Sequence, residues 1–307
     1  MENKFTNSDL LHRFIFENTA VRGNTVHLSQ TFQQALHQQK MPAGLRRSLG
    51  ELMAASALLS ATLKMNGSLV LQIQSKGLLK LLVVECNSDF GIRATAKWSD
   101  EVTDDQNLFE LVEHGQFMIT LDPKGGGQAY QGIVPLEGDS ISAVLENYML
   151  RSEQIDTRIW LCCDGESAAG MLIQKLPETM NQVTTVQDHD DQDQDTWNRV
   201  GYLASTVTND ELLHLPTETL LTRLFNQEDV RLFEPSATQF FCSCSRESVA
   251  NMLRMLGNEE LTSIIEERGN IEVHCDFCNT LYTFDKVDAA QLLVTEAAVI
   301  ITSSEIH

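Results

Sequence analysis

The chain has 307 residues, 42% of them hydrophobic, and a net charge of −21; it is too apolar for disorder throughout and long enough for one ordinary domain and a small one. The acid excess is uneven, −5 over residues 1–177, −9 over 178–240 and −7 over 241–307, and a field of that sign repels phosphate backbones and argues against nucleic-acid contact. No run of roughly 18 apolar residues is available to span a membrane, and the start at Met1 lacks the basic-then-apolar pattern of a secretory signal, so the expected compartment is the cytoplasm.

Residues 1–177 mix helices and strands. Leu45 to Lys64 carries Leu49, Leu52, Met53, Ser56, Leu59 and Leu63 at helical spacing, and Asn66-Gly67 breaks the pattern. A meander is predicted next: Leu69, Leu71 and Ile73 alternate with other residues, Leu78 to Glu85 forms a second strand after the Lys76-Gly77 turn, and Gly91 to Trp98 a third after Asn87-Ser88-Asp89. Phe117 to Leu121 and Gln128 to Val134 read as a hairpin, Ser140 to Arg151 as a helix, and Arg158 to Cys162 and Met171 to Leu176 as strands. The sum is an α+β domain with a mostly antiparallel sheet and helices.

Pro177 ends that zone. Gln187 to Asp195 is a self-repelling polar run expected to be a loop. Trp197 to Ser205, Asn209 to Leu213 and Glu218 to Phe225 then have the pattern of short amphipathic helices with too few apolar residues for a core of their own. A segment that folds only by docking is one that can be released. Glu228 to Phe233 and Phe240-Phe241 read as extended segments that close this partly helical zone over residues 178–240.

From residue 241 to 307 the pattern is that of a small metal-organised domain. Cys242-Ser-Cys244 and Cys275-Asp-Phe-Cys278, with residues 245–274 between them, can bring four soft sulfur ligands to the corners of a tetrahedron, the geometry zinc accepts. Arg246 to Leu256 is a helix stopped by Gly257, Asn258 caps a second helix that Gly269 stops, and Ile271 to Val273 with Leu281 to Phe284 makes a hairpin whose turn is Cys275 to Cys278. Asp285 is placed to cap a last helix through Leu293. In a reducing compartment such cysteines hold metal or do redox chemistry rather than form permanent disulfides. On spacing alone a purely structural zinc site is the commoner outcome. Thiolates also attack peroxide or hypochlorite, and a neighbouring thiol captures the sulfenic acid as a disulfide, so oxidation would strip the metal and loosen the domain.

Cys242-Ser-Cys-Ser-Arg-Glu247, the spacer and His274-Cys-Asp-Phe-Cys278 resemble the zinc signature of the redox-regulated bacterial chaperone family heat shock protein 33 (HslO). The likeness extends over the chain: Arg13 to Gly23, Tyr130 to Gly138, Tyr148 to Gln154 and Ala169-Gly-Met171 are similar to motifs of that family's N-terminal domain. The resemblance implies an ATP-independent holdase of the oxidative stress response, not an enzyme, with an N-terminal domain (1–177) for client binding and dimerisation. It implies a regulatory linker (178–240) and a C-terminal redox-switch domain (241–307). Reduced, one zinc per chain would sit on Cys242, Cys244, Cys275 and Cys278. Oxidation would join Cys242 to Cys244 and Cys275 to Cys278, release zinc, unfold linker and C-terminal domain, and yield a homodimer that binds unfolding proteins.

Other readings stand beside this one. His274 is a possible replacement ligand, though four cysteines suffice. Cys86, Cys162 and Cys163 lie in expected strands as small hydrophobes with no assigned role. Arg22-Gly23 reads as a turn, and Gly125-Gly126-Gly127 lacks the strand-to-helix setting of a phosphate cradle. A thiol-disulfide oxidoreductase is the enzyme alternative, although Cys275 to Cys278 does not open a helix. A zinc-ribbon module for nucleic acid is the binding alternative, opposed by the charge.

Overall fold

A computed structural model describes residues 8–63, 66–177 and 186–291, with backbone alone over 186–194. Strands β1 (Leu10–Phe16) and β2 (Val21–Leu28) precede helices α1 (Gln30–Leu36) and α2 (Ala43–Ser60). The meander β3 (Gly67–Gln74), β4 (Leu79–Asn87) and β5 (Gly91–Trp98) follows, then α3 (Leu108–Leu111), the hairpin β6 (Gln116–Pro123) and β7 (Tyr130–Pro135), α4 (Ile141–Arg151), and the hairpin β8 (Thr157–Cys163) and β9 (Ala168–Lys175). Helices α5 (Val186–Ala204), α6 (Asn209–His214) and α7 (Thr217–Leu224) lead to short strands β10 (Val230–Leu232), β11 (Ser236–Ala237) and β12 (Gln239–Phe240). Helices α8 (Arg246–Leu256) and α9 (Asn258–Arg268) and the hairpin β13 (Ile271–His274) and β14 (Leu281–Phe284) complete the labelled elements. The chain divides after Phe241 into two compact units.

The first unit holds two six-stranded sheets. One runs β10-β1-β2-β9-β8 with β11 also on β1; the other runs β12-β5-β4-β3-β6-β7. Every pairing in them is antiparallel except that of β12 with β5. Helix α2 packs against strands of both sheets. Its sequence suits that place: Leu45, Leu49, Leu52, Met53, Leu58 and a run of alanines are all buried, the pattern of a helix covered nearly all round. Leu71, Ile73, Leu82, Val84 and Ile92 of the meander close the core on the same side.

The outer face of the first sheet is also apolar. Along β9, Ala168 and Leu172 join the α2 core while Ala169, Met171 and Ile173 point the other way, because successive side chains alternate across a strand. Phe14, Phe16 and Val21 share that outer face. Trp197, Val200 and Ala204 of α5, Leu212 and Leu213 of α6, and Leu220, Leu221, Leu224 and Phe225 at α7 cover it. The Phe225 ring meets Phe16 edge-on at 5.0 Å. Arg158 of β8 lies over the Trp197 ring at 4.9 Å and fills the space beside Gly201 where a side chain would have to sit. Arg199 of α5 chelates Glu228, in the loop after α7, with bonds of 2.6 and 3.0 Å, and Arg223 of α7 pairs with Glu211 of α6 at 2.7 Å, so α7 is tied to α6 and α5 to the loop that follows α7.

The meander, both hairpins and the helices over 45–63, 140–151, 197–205, 209–213 and 218–225 lie where periodicity places them. Three expectations are corrected. Residues 187–195 are not a loop: they form the first half of α5, whose docked second half continues the same hydrogen-bond ladder. Arg22-Gly23 is not a turn but lies inside β2, with Gly23 opposite Phe14 in register; a Cβ there would overlap the Phe14 ring. The helix α9 is capped by Gly257, Asn258 being its first residue. Lys64, residues 178–185 and the end of the last expected helix at Leu293 lie outside the described residues.

Leu221 is 4% exposed on α7 against the outer sheet face. Leu221→Ala is expected to cost about 2–4 kcal/mol, read as a lowered urea midpoint with faster hydrogen exchange over residues 209–224. An unchanged midpoint would mean that these helices add nothing to the sheet.

Candidate metal centre

The second unit is built around a small core of Val249, Ala250, Leu253, Leu261, Ile271, Phe284 and Ala289. Ser245 starts α8 by accepting from the Ser248 amide at 3.1 Å, and Gly257 stops it with a positive φ. These caps put Cys242 and Cys244 just ahead of the helix. On the other side, β13 and β14 pair antiparallel, and their turn is closed by the Cys275 amide donating to the Thr280 carbonyl at 3.0 Å and the Asn279 amide to the Cys275 carbonyl at 2.8 Å. Asp285 caps a helical stretch over 286–291 by accepting from the Val287 and Asp288 amides, both at 2.8 Å.

All four cysteines converge. Their Sγ atoms lie within 4.8 Å of one another, with Cys242 to Cys275 at 3.7 Å and Cys244 to Cys278 at 3.4 Å. Four sulfurs about 2.3 Å from a tetrahedral zinc would be about 3.8 Å apart, so the cluster is sized for a metal ion. All are free thiols of intermediate burial. His274 is outside this group of ligand atoms and belongs to β13.

The surroundings favour the anion at one of the sulfurs and oppose it at another. Burial pushes the Cys278 thiol up, but the Thr280 side chain and amide, with Cys244 and Cys275, pull it down to about 6. Burial raises Cys244, against a hydrogen bond from the Tyr282 hydroxyl at 3.1 Å. Tyr282 is itself raised to about 12 by that bond. Cys86, Cys162 and Cys163 differ: burial drives each to about 12, which leaves them protonated and inert.

Sequence reasoning passed over three supporting residues. Arg246 stacks on the Phe284 ring at 4.2 Å and donates to the Thr283 carbonyl at 2.6 Å and to Asp288 at 2.7 Å, joining the start of α8 to the hairpin and the last helix. Tyr282 and Thr280 supply hydroxyls to sulfur. Only the repeated appearance of polar side chains next to cysteines hinted at them; their contacts span 2 to 42 positions.

A family profile described as Hsp33 protein matches residues 9–285. The chain belongs to the Hsp33 family. The 33 kDa chaperonin of Methylobacillus flagellatus is 59% identical to this Hsp33 chain over 290 residues, covering 94% of this chain and 96% of that protein. The 33 kDa chaperonin of Neisseria meningitidis serogroup A is 46% identical, covering 93% and 91%. A crystal structure of the Thermotoga maritima 33 kDa chaperonin shares the fold at a TM-score of 0.78 and 20% identity, over 94% of this chain and 99% of that one. Hsp33 relatives are thus named as chaperonins and not as enzymes. Among the described residues no helix is long and apolar enough to cross a membrane.

Removing metal from the reduced protein with a chelator is expected to abolish hydrogen-exchange protection over 246–291 and leave residues 67–98 protected, because a core of this size would depend on a metal held by the cluster and the large sheets would not. Retained protection over 246–291 in metal-free, reduced protein would show that Val249 to Ala289 suffice alone.

Proposed function

We propose that this chain is an ATP-independent holdase chaperone, inactive while reduced and switched on when its four clustered cysteines are oxidised. The observation that carries the proposal is the pairing of an oxidisable sulfur cluster with an apolar sheet face that is covered by the segment immediately preceding it. Membership of a family whose relatives are named chaperonins supports it. In this reading 1–177 binds clients and dimerises, 178–240 is the regulatory linker, and 241–307 is the switch, acting in the cytoplasm under oxidative stress.

Cys242, Cys244, Cys275 and Cys278 are the proposed zinc ligands and redox-active residues, with one zinc per reduced chain. Zinc, when bound, supplies the positive charge that keeps all four sulfurs as thiolates and joins the start of α8 to the β13–β14 turn. A thiolate attacks peroxide to give a sulfenic acid and hydroxide. A second thiolate displaces the remaining hydroxide to form the disulfide, a two-electron oxidation per pair. Cys242 with Cys244 and Cys275 with Cys278 are the proposed pairs. Sulfurs joined in this way have given up the charge that binds metal, and the seven-residue core loses its organiser.

The chain continues without spacer from Phe241, whose amide donates to the Ile92 carbonyl at 3.1 Å, to Cys242. Unfolding that spreads back from Cys242 would strip β12 and then the helices α5 to α7, uncovering Phe14, Phe16, Val21, Met171 and Ile173 for clients. The acidity of the 178–307 segment keeps the opened protein soluble.

Peroxide with mild heat is expected to reduce the titratable thiols from seven to three, leaving Cys86, Cys162 and Cys163, with release of one zinc and onset of ATP-independent suppression of citrate synthase aggregation. Insulin reduction without suppression would instead favour the oxidoreductase, and salt-sensitive RNA retention the binding module.

A further inference from the structure

Two histidines sit under the linker helices. His12 of β1 is 3% exposed, and its Nδ1 lies 3.2 Å from the hydroxyl of Thr217, the first residue of α7. The same hydroxyl lies 3.4 Å from the Thr25 hydroxyl of β2. His27 of β2 meets the other side of the α6–α7 turn: the Leu213 carbonyl accepts from its ring. Its Nδ1 is buried without a hydrogen-bond partner among the described residues. Both rings point to the outer sheet face because positions 12 and 14 of β1, and 21 and 27 of β2, alternate to the same side. The linker itself therefore provides their partners, over a buried His12 and a half-buried His27.

We propose that His12 and His27 form an acid-sensitive latch, in which their protonation releases α6 and α7 from the sheet without any oxidation of the cysteines. The proposal rests on the docked linker being the cover of the client surface. Protonation gives each ring a second N–H. At His27 that hydrogen would be on Nδ1, where no acceptor waits; at His12 the charge would be held in a pocket of Thr25, Thr217 and apolar side chains. A buried unpaired charge is costly, and leaving the pocket relieves it.

The charged groups around the rings are few and partly oppose this. Glu218 of α7 faces His12; Asp9 and Asp164, from the turns at the sheet end, and the exposed His214 of α6 face His27. The three acids favour protonation and His214 disfavours it, but burial is the largest influence at both rings and holds both below the usual 6.5. The sign follows. A group whose docked pKa is depressed contributes stability above its free value and loses it as pH falls, because the released state binds more protons. Docking is therefore strongest above about 6.5 and weakens progressively below it. For a ring that stays neutral when docked, lowering pH from 7.5 to 5.5 shifts the docked-to-released ratio about tenfold, and up to about a hundredfold for two.

The test uses full-length, reduced, zinc-loaded protein, with bound zinc measured at every pH because acid also protonates thiolates. Hydrogen-exchange protection factors over 209–224, corrected for intrinsic rates, are expected to fall at least tenfold between pH 7.5 and 5.5 while zinc stays bound. His12→Asn, which keeps a polar atom at the Nδ1 position, and His27→Gln, which keeps one toward Leu213, are each expected to remove part of that dependence, and the pair most of it. Equal protection at the two pH values with zinc retained overturns the latch, as does an undiminished pH dependence in a folded double variant. If acid opens 209–224 but citrate synthase still aggregates, the latch stands and the proposed client surface fails. If peroxide activates and acid does not open the linker, the latch alone fails.

Discussion

The first sheet has two apolar faces, and that constraint organises the molecule. A strand such as β9, with Ala168 and Leu172 on one side and Ala169, Met171 and Ile173 on the other, cannot leave either side in water without losing roughly 25 cal/mol for every Å² exposed. Helix α2 and the second sheet cover one side, within a core whose residues range from Leu11 to Leu172. The other side is covered by helices α5 to α7, a short segment with a polar outer surface, held by a few anchors: Arg158 on Trp197, Thr217 on His12 and the rings of Phe14, Phe16 and Phe225. The two covers differ in kind, one being integral to the core and the other an addition to it.

The sulfur cluster gains its importance from where it lies in the chain. A unit with a core as small as that of Val249 to Ala289 sits close to its folding limit, and a tetrahedral sulfur site can contribute on the order of 10 kcal/mol to such a fold. Arg246, Thr280 and Tyr282 tune the site from outside it, through hydrogen bonds to backbone and sulfur. The other three cysteines, in the first unit, are pushed up to about 12 by burial, which disfavours their thiolates and sets them apart from the cluster.

Much of this was legible before any coordinates. The four-cysteine spacing, the cap at Asp285, the stops at Gly257 and Gly269, and the alternation of Leu69, Leu71 and Ile73 are local signals, and each lies where the sequence places it. The acidic run at 187–195 misled because composition speaks for solubility and not for conformation: joined to a docked helical segment, it is helical too. Arg22-Gly23 misled because glycine has more than one use; here it makes room for an aromatic ring on the neighbouring strand.

The sequence alone determined most of the elements after residue 45, the composition of the cysteine cluster and the membership of the family, because periodicity, capping and ligand spacing are properties of residues close together in the chain. Tertiary structure alone decided which elements cover the outer face of the first sheet, which sulfurs are nearest neighbours, and that His12 meets a threonine 205 positions away. These depend on strand pairing and on burial from both sides, and no local pattern encodes which distant side chain will close a given face.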